Sequence, residues 1–120
     1  MLFVVVLCVR HPVWSYQGSA SAASDVVKRQ EVIVVAASGN DGKATKYYPA
    51  CYPDVVTVGA ADNEGNRADF STHNECVDTL ALGVDIEVAF RDGTIKDSGT
   101  SFSAPLIAGK ISLLIENLSK

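Results

Sequence analysis

The chain has 120 residues, 48% hydrophobic and 20% charged, with a formal net charge of -4. That is enough for one small domain with one core. The acidic balance argues against nucleic acid and anionic membrane as partners, and no apolar run reaches the length that spans a bilayer.

Leu2-Phe3-Val4-Val5-Val6-Leu7 is apolar at every position and rich in β-branched residues, the pattern of a central strand in a parallel sheet. No basic residue precedes it and Arg10-His11-Pro12 follows it at once, which disfavours a signal peptide despite the small residues Ser19-Ala20-Ser21-Ala22-Ala23. Such a chain starts abruptly inside a sheet, as a piece of a larger domain would. Residues 10–18 read as a loop and 19–30 as a helix, with Ala20, Ala23, Val26 and Val27 on one face. Residues 31–37 form a second apolar strand, and strand, helix, strand predicts a right-handed crossover between parallel strands.

That strand ends in the turn cluster Ser38-Gly39-Asn40-Asp41-Gly42. In open parallel sheets ligands bind beyond the carboxyl ends of the strands, so Asn40 stands where chemistry is possible, although alone it is an ordinary turn asparagine. Tyr47-Tyr48-Pro49-Ala50-Cys51-Tyr52-Pro53 is an aromatic, proline-punctuated loop. Residues 54–60 form a strand, Asn63-Glu64-Gly65-Asn66 a turn, and 77–82 a further strand ended by Gly83. Residues 86–90 and 94–96 flank Arg91-Asp92-Gly93, a hairpin signal. Cys8, Cys51 and Cys76 are an odd number without metal-type spacing. They read as small buried hydrophobes, or as one disulfide with a spare thiol if the protein is secreted.

Asp97-Ser98-Gly99-Thr100-Ser101-Phe102-Ser103-Ala104-Pro105 leads into an apolar run in which Ile107, Ile111, Leu114 and Leu118 share one helical face. Ser101 therefore stands where a loop becomes a buried helix, with Pro105 expected in the first turn. Free backbone N–H groups and the positive end of the dipole meet there. Such a place suits an N-cap serine, and it equally suits a nucleophile whose oxyanion needs stabilising.

Gly99-Thr100-Ser101-Phe102-Ser103-Ala104-Pro105 resembles the G-T-S-x-[AS]-x-P signature of subtilisin-like serine peptidases. Further segments resemble that family in the same order. They are Ala36-Ala37-Ser38-Gly39-Asn40-Asp41-Gly42, Tyr48-Pro49-Ala50, Val56-Thr57-Val58-Gly59-Ala60, Arg67-Ala68-Asp69-Phe70-Ser71 and Leu82-Gly83-Val84-Asp85-Ile86. The resemblance implies an α/β fold, a mostly parallel sheet flanked by helices in three layers, of which residues 1–120 would form the carboxyl-terminal part. It implies a serine endopeptidase with Ser101 as nucleophile and Asn40 as oxyanion donor. Ala37, Ser38 and Gly39 would wall the pocket for the side chain before the scissile bond, with Tyr47 near its base. Cys8, Val9 and Arg10 would form the extended edge that pairs with substrate, and Thr100 would belong to the same cleft. The partners implied are a polypeptide substrate and either the amino-terminal half of the domain or a propeptide. Secretion and calcium are implied by the family too; carbonyls of Ala50-Cys51-Tyr52 could serve calcium, but no metal is assigned.

The departures are as informative. Cys8-Val9-Arg10 stands where the family has S-L-G, Leu82 replaces a proline, and Tyr47 replaces a small residue, which would shrink the pocket. The family's D-[ST]-G and H-G-T-H motifs, which precede the serine in chain order, do not occur. His11 and His73 lack their surroundings and read as surface loop residues. Ser101 without a general base stays protonated, so the chain by itself is expected to be inactive. The alternatives are a catalytically dead, peptide-binding relative and, more remotely, an unrelated doubly wound ligand-binding domain.

Overall fold

A computed structural model describes Val4–Cys8 and residues 32–118. The helix expected over residues 19–30 lies outside the described residues, as do Val9, Arg10 and His11. Strands β1 (Val4–Cys8), β2 (Val32–Ala37), β3 (Val55–Ala61) and β4 (Thr79–Leu82) form one sheet in that spatial order. β2 pairs parallel with β3, and β3 parallel with β4. A separate hairpin, β5 (Ile86–Phe90) and β6 (Gly93–Asp97), leads into the helix α1 (Thr100–Leu118).

One expectation is overturned. β1 runs antiparallel to β2, with Val4 opposite Ala36 and Cys8 opposite Val32, so strand, helix, strand is not the parallel crossover unit predicted above. A run that is apolar on both faces signals burial but carries no direction, and the long connection from Cys8 to Val32 accommodates either sense. Cys8 consequently lies at the Val32 end of the sheet, away from the end where β2 delivers Asn40. Cys8, expected on the edge that pairs with substrate, is thus not beside the candidate site.

The core lies between the sheet and α1, which packs against all four strands. Val35, Ala37, Val58, Ala81, Ala104 and Ala108 are its buried centre, with Ile33, Val56, Ile107 and Ile111 against them. Small residues on both sides allow the helix to approach the strands closely. The expected helical face holds only in part. Leu114 is 62% exposed and Leu118 85%, while Ser103, Ala104 and Ala108 are buried instead. The stretch from Thr100 to Ile111 is about 18 Å long, and the last two turns continue beyond the buried stretch. Pro105 is the sixth residue of α1, not part of its first turn. There it withholds the N–H that would bond to the Ser101 carbonyl.

Candidate active site

Parallel pairing brings the carboxyl ends of β2, β3 and β4 to one edge of the sheet. Ser38 continues the ladder by one bond, its N–H donating to Val58 O at 2.9 Å, and the chain then turns at Gly39. The amino terminus of α1 is clamped at the same edge. Gly99 N–H donates to Gly83 O at 2.8 Å, and Ser103 Oγ donates to Leu82 O at 3.3 Å. Gly83 leaves no room for a side chain, since a Cβ there would fall 2.7 Å from Ala60 Cβ and 2.9 Å from Gly99 O. A bare residue at this point lets the end of β4, the strand beside it and the start of the helix meet.

Asn40 and Ser101, 61 positions apart in the chain, come together at this junction. A methyl group built on Gly99 would meet Ser101 Oγ at 3.4 Å and Asn40 Nδ2 at 3.7 Å. Hydroxyl and carboxamide thus face one small space over Gly99. Asn40 is oriented by Thr100, whose N–H donates to Asn40 Oδ1 at 2.9 Å and whose hydroxyl donates to the same oxygen at 2.8 Å. With both donors on its oxygen, the carboxamide leaves its NH2 to the space over Gly99. Thr100 Oγ1 also accepts from Gly39 N–H at 3.2 Å. Thr100 is buried and its hydroxyl is committed on both sides, so it positions Asn40 rather than lining a cleft. In the first turn of α1, Thr100 N–H is bonded to Asn40 and Phe102 N–H to Gly99 O. The N–H of Ser101 between them belongs to the turn for which a helix provides no acceptor.

The loop that carries Asn40 is stapled to residues 70–73. Thr72 N–H donates to Gly39 O at 2.9 Å and Gly42 N–H to Phe70 O at 2.7 Å. Asp41 is the centre of the staple. Its Oδ1 accepts from the Thr72 hydroxyl at 2.7 Å and from Lys43 N–H at 2.9 Å, and its Oδ2 accepts from the Tyr47 hydroxyl at 2.9 Å. The Thr72 hydroxyl first, then the Lys43 N–H, hold the Asp41 carboxyl well below the usual carboxylate range. The bond to that carboxylate in turn pushes the Tyr47 phenol up. Neither Asp41 nor Thr72 stood out in the sequence. Asp41 looked like a turn residue and Thr72 belongs to no motif, so only their meeting across 31 residues reveals the network.

Ala37, Ser38 and Gly39 directly precede Asn40 in the chain, and all three are buried. The Tyr47 ring lies against Gly39. His73 is exposed and its backbone N–H donates to Lys43 O at 2.9 Å, in keeping with a surface loop. Cys51 and Cys76 are joined by a disulfide with Cα atoms 5.1 Å apart, so two of the three cysteines are a cross-link and not small buried hydrophobes. Ala50 O accepts the Thr57 hydroxyl, Tyr52 O accepts Val55 N–H at 3.1 Å, and among the described residues no three His, Cys, Asp or Glu side chains gather as a metal site.

A helix-terminal serine and an asparagine carboxamide thus meet at the edge where parallel strands end. The model of the subtilase family matches residues 11–120, and the chain belongs to that family. Subtilisin-like protease 2 of Pseudogymnoascus destructans is 38% identical over 105 residues, covering 84% of this chain and 26% of the relative. Subtilisin BL of Lederbergia lenta is 40% identical over 84 residues, covering 69% and 31%. Among solved structures, the self-cleaved protease domain of PatA has a TM-score of 0.71 and 36% identity over 83% of this chain and 41% of that one. The prenylagaramide maturation protease PagA has a TM-score of 0.68 and 40% identity, covering 72% and 33%. The chain therefore spans between about a fifth and a third of the curated relatives it matches.

Proposed function

We propose that the chain supplies the nucleophile and the oxyanion hole of a serine endopeptidase. Ser101 Oγ attacks the carbonyl carbon of a peptide bond, the C–N bond breaks and the amine leaves carrying the proton that the serine gives up, and water later hydrolyses the acyl-enzyme. The oxyanion lies between the Asn40 NH2 and the Ser101 N–H, where fixed donors in place before the reaction lower its barrier most. The observation that carries this proposal is the single space over Gly99 onto which both Ser101 Oγ and Asn40 Nδ2 open. Ala37, Ser38 and Gly39 wall the pocket for the substrate side chain, and Tyr47 forms its base. The Cys51–Cys76 disulfide supports an oxidising compartment and hence secretion.

The Asp and His motifs of the family are absent from these 120 residues. A triad without its histidine loses about as much turnover as one without all three members, on the order of a million-fold. The chain by itself is accordingly inactive, and a partner segment carrying D-[ST]-G and H-G-T-H completes it. The test is peptidase assay of the chain with and without such a segment added in trans. Activity that appears on addition and vanishes in Ser101→Ala supports the proposal. No gain on addition favours the second reading, a peptide-binding relative that does not cut, for which the missing motifs are the motivating observation.

A further inference from the structure

We propose that Thr72 is a positioning residue for the oxyanion donor: it binds the peptide groups on both sides of Asn40 and thereby fixes where the Asn40 carboxamide stands over Gly99. This rests on the roles of Ser101 and Asn40 given above.

Asn40 is exposed, and among the described residues its own N–H and C=O have no hydrogen-bond partner. Its main chain is therefore placed by its neighbours alone. Gly39 before it has φ 116°, a conformation outside regular structure, so the ladder of β2 does not reach Asn40. Thr72 supplies what the ladder does not. Its N–H donates to Gly39 O at 2.9 Å, and its Oγ1 accepts from Asp41 N–H at 3.4 Å. These are the carbonyl just before Asn40 and the N–H just after it. The same hydroxyl donates to Asp41 Oδ1 at 2.7 Å, a charge-assisted bond and so stronger than a neutral one. Packing tightens the grip, since a Cβ on Gly39 would fall 2.8 Å from Thr72 Oγ1.

Thr72 can hold Asn40 because it is itself held. It is buried. Ser71 before it accepts Ala60 N–H of β3 on Oγ at 2.9 Å and the Arg67 guanidinium on its carbonyl at 3.1 Å. His73 after it donates its N–H to Lys43 O at 2.9 Å. β3 is thus linked to the flanks of Asn40 through two adjacent residues, Ser71 and Thr72. Thr100 aims the carboxamide from the helix side, and Thr72 fixes the backbone that bears it from the sheet side. An aimed carboxamide on an unfixed backbone still shifts, and misplacement by about 1 Å is enough to cost on the order of 100-fold.

The first measurement needs no turnover. Amide exchange is followed by NMR in the full chain, unaltered and as Thr72→Val and Thr72→Ser. Thr100 N–H, which donates to Asn40 Oδ1, reports the donor. Ser38 N–H, which donates to Val58 O, reports the sheet. Thr72→Val loses the hydroxyl but keeps the N–H bond to Gly39, and should speed exchange at Thr100 roughly tenfold or more relative to Ser38. Thr72→Ser keeps the hydroxyl and should match the unaltered chain. Asp41→Ala removes the acceptor of the same hydroxyl and takes the place of Thr72→Val if that variant does not fold. Equal acceleration at both amides makes Thr72 a residue of general stability and overturns the proposal, as does no change at either.

The second measurement uses the enzyme completed by the segment that bears the Asp and His motifs. Thr72→Val should lower kcat about tenfold with little change in KM. In an Asn40→Ala background it should add less than about twofold, since nothing is left to position. Full additivity overturns the positioning role and leaves the donor standing. An Asn40→Ala enzyme as fast as the unaltered one removes the donor itself, and the role of Thr72 with it.

Discussion

Asn40 Oδ1 accepts two hydrogen bonds from one residue, Thr100, through its N–H at 2.9 Å and its hydroxyl at 2.8 Å. The residue before the candidate nucleophile therefore aims the candidate oxyanion donor. Thr100→Val keeps the shape and the N–H bond but removes the hydroxyl, and it leaves the Gly39 N–H without its acceptor in a buried place. The expected cost is about 1–3 kcal/mol of stability, read from urea unfolding. Activity of the completed enzyme should fall by less than for Asn40→Ala. Loss of an oxyanion donor lowers turnover roughly 100- to 1000-fold, a figure established on a subtilisin.

Asp41 makes the fold pH-dependent in a defined direction. Its carboxyl is held below its ordinary value of 3.8 by Thr72 and Lys43. A carboxyl depressed in the folded state stabilises the fold fully above its unfolded pKa, and that contribution is lost as pH falls through the folded value. The stability difference between the unaltered chain and Asp41→Asn should be level from about pH 7 to 5 and shrink below about pH 4. Unfolding midpoints measured across that range check it, and a difference that grows on acidification contradicts it.

The disulfide closes a loop of 25 residues between Cys51 and Cys76. Cross-links of that span contribute about 3 kcal/mol by restricting the unfolded chain. Replacing both cysteines by serine, or adding a thiol reductant, should lower the thermal midpoint accordingly. An unchanged midpoint would mean that the cross-link does not form in solution.

Much of this arrangement was legible in the residues, for physical reasons. β2, β3 and the β5–β6 hairpin are runs whose composition and flanking turns leave one interpretation. The Gly99-Thr100-Ser101 and Gly39-Asn40 segments carry chemistry that local spacing can show. What stayed hidden depended on distant partners. The direction of β1 is not encoded in a run that is apolar on both faces. The exposure of Leu114 and Leu118 depends on where the sheet ends, not on helical period. The hydroxyl of Thr100 is committed to Asn40 and Gly39, partners that local spacing does not show. The Asp41–Thr72–Tyr47 network and the choice of Cys51 with Cys76 arise only when two loops are laid side by side.

The most direct test of the central claim is labelling of Ser101 by a fluorophosphonate, which reports an activated serine independently of any peptide preference. The chain alone should label at a rate barely above that of Ser101→Ala. Supplying the segment that bears the Asp and His motifs should raise the rate by orders of magnitude, all of it at Ser101. Brisk labelling without that segment, or labelling that persists in Ser101→Ala, would contradict the account.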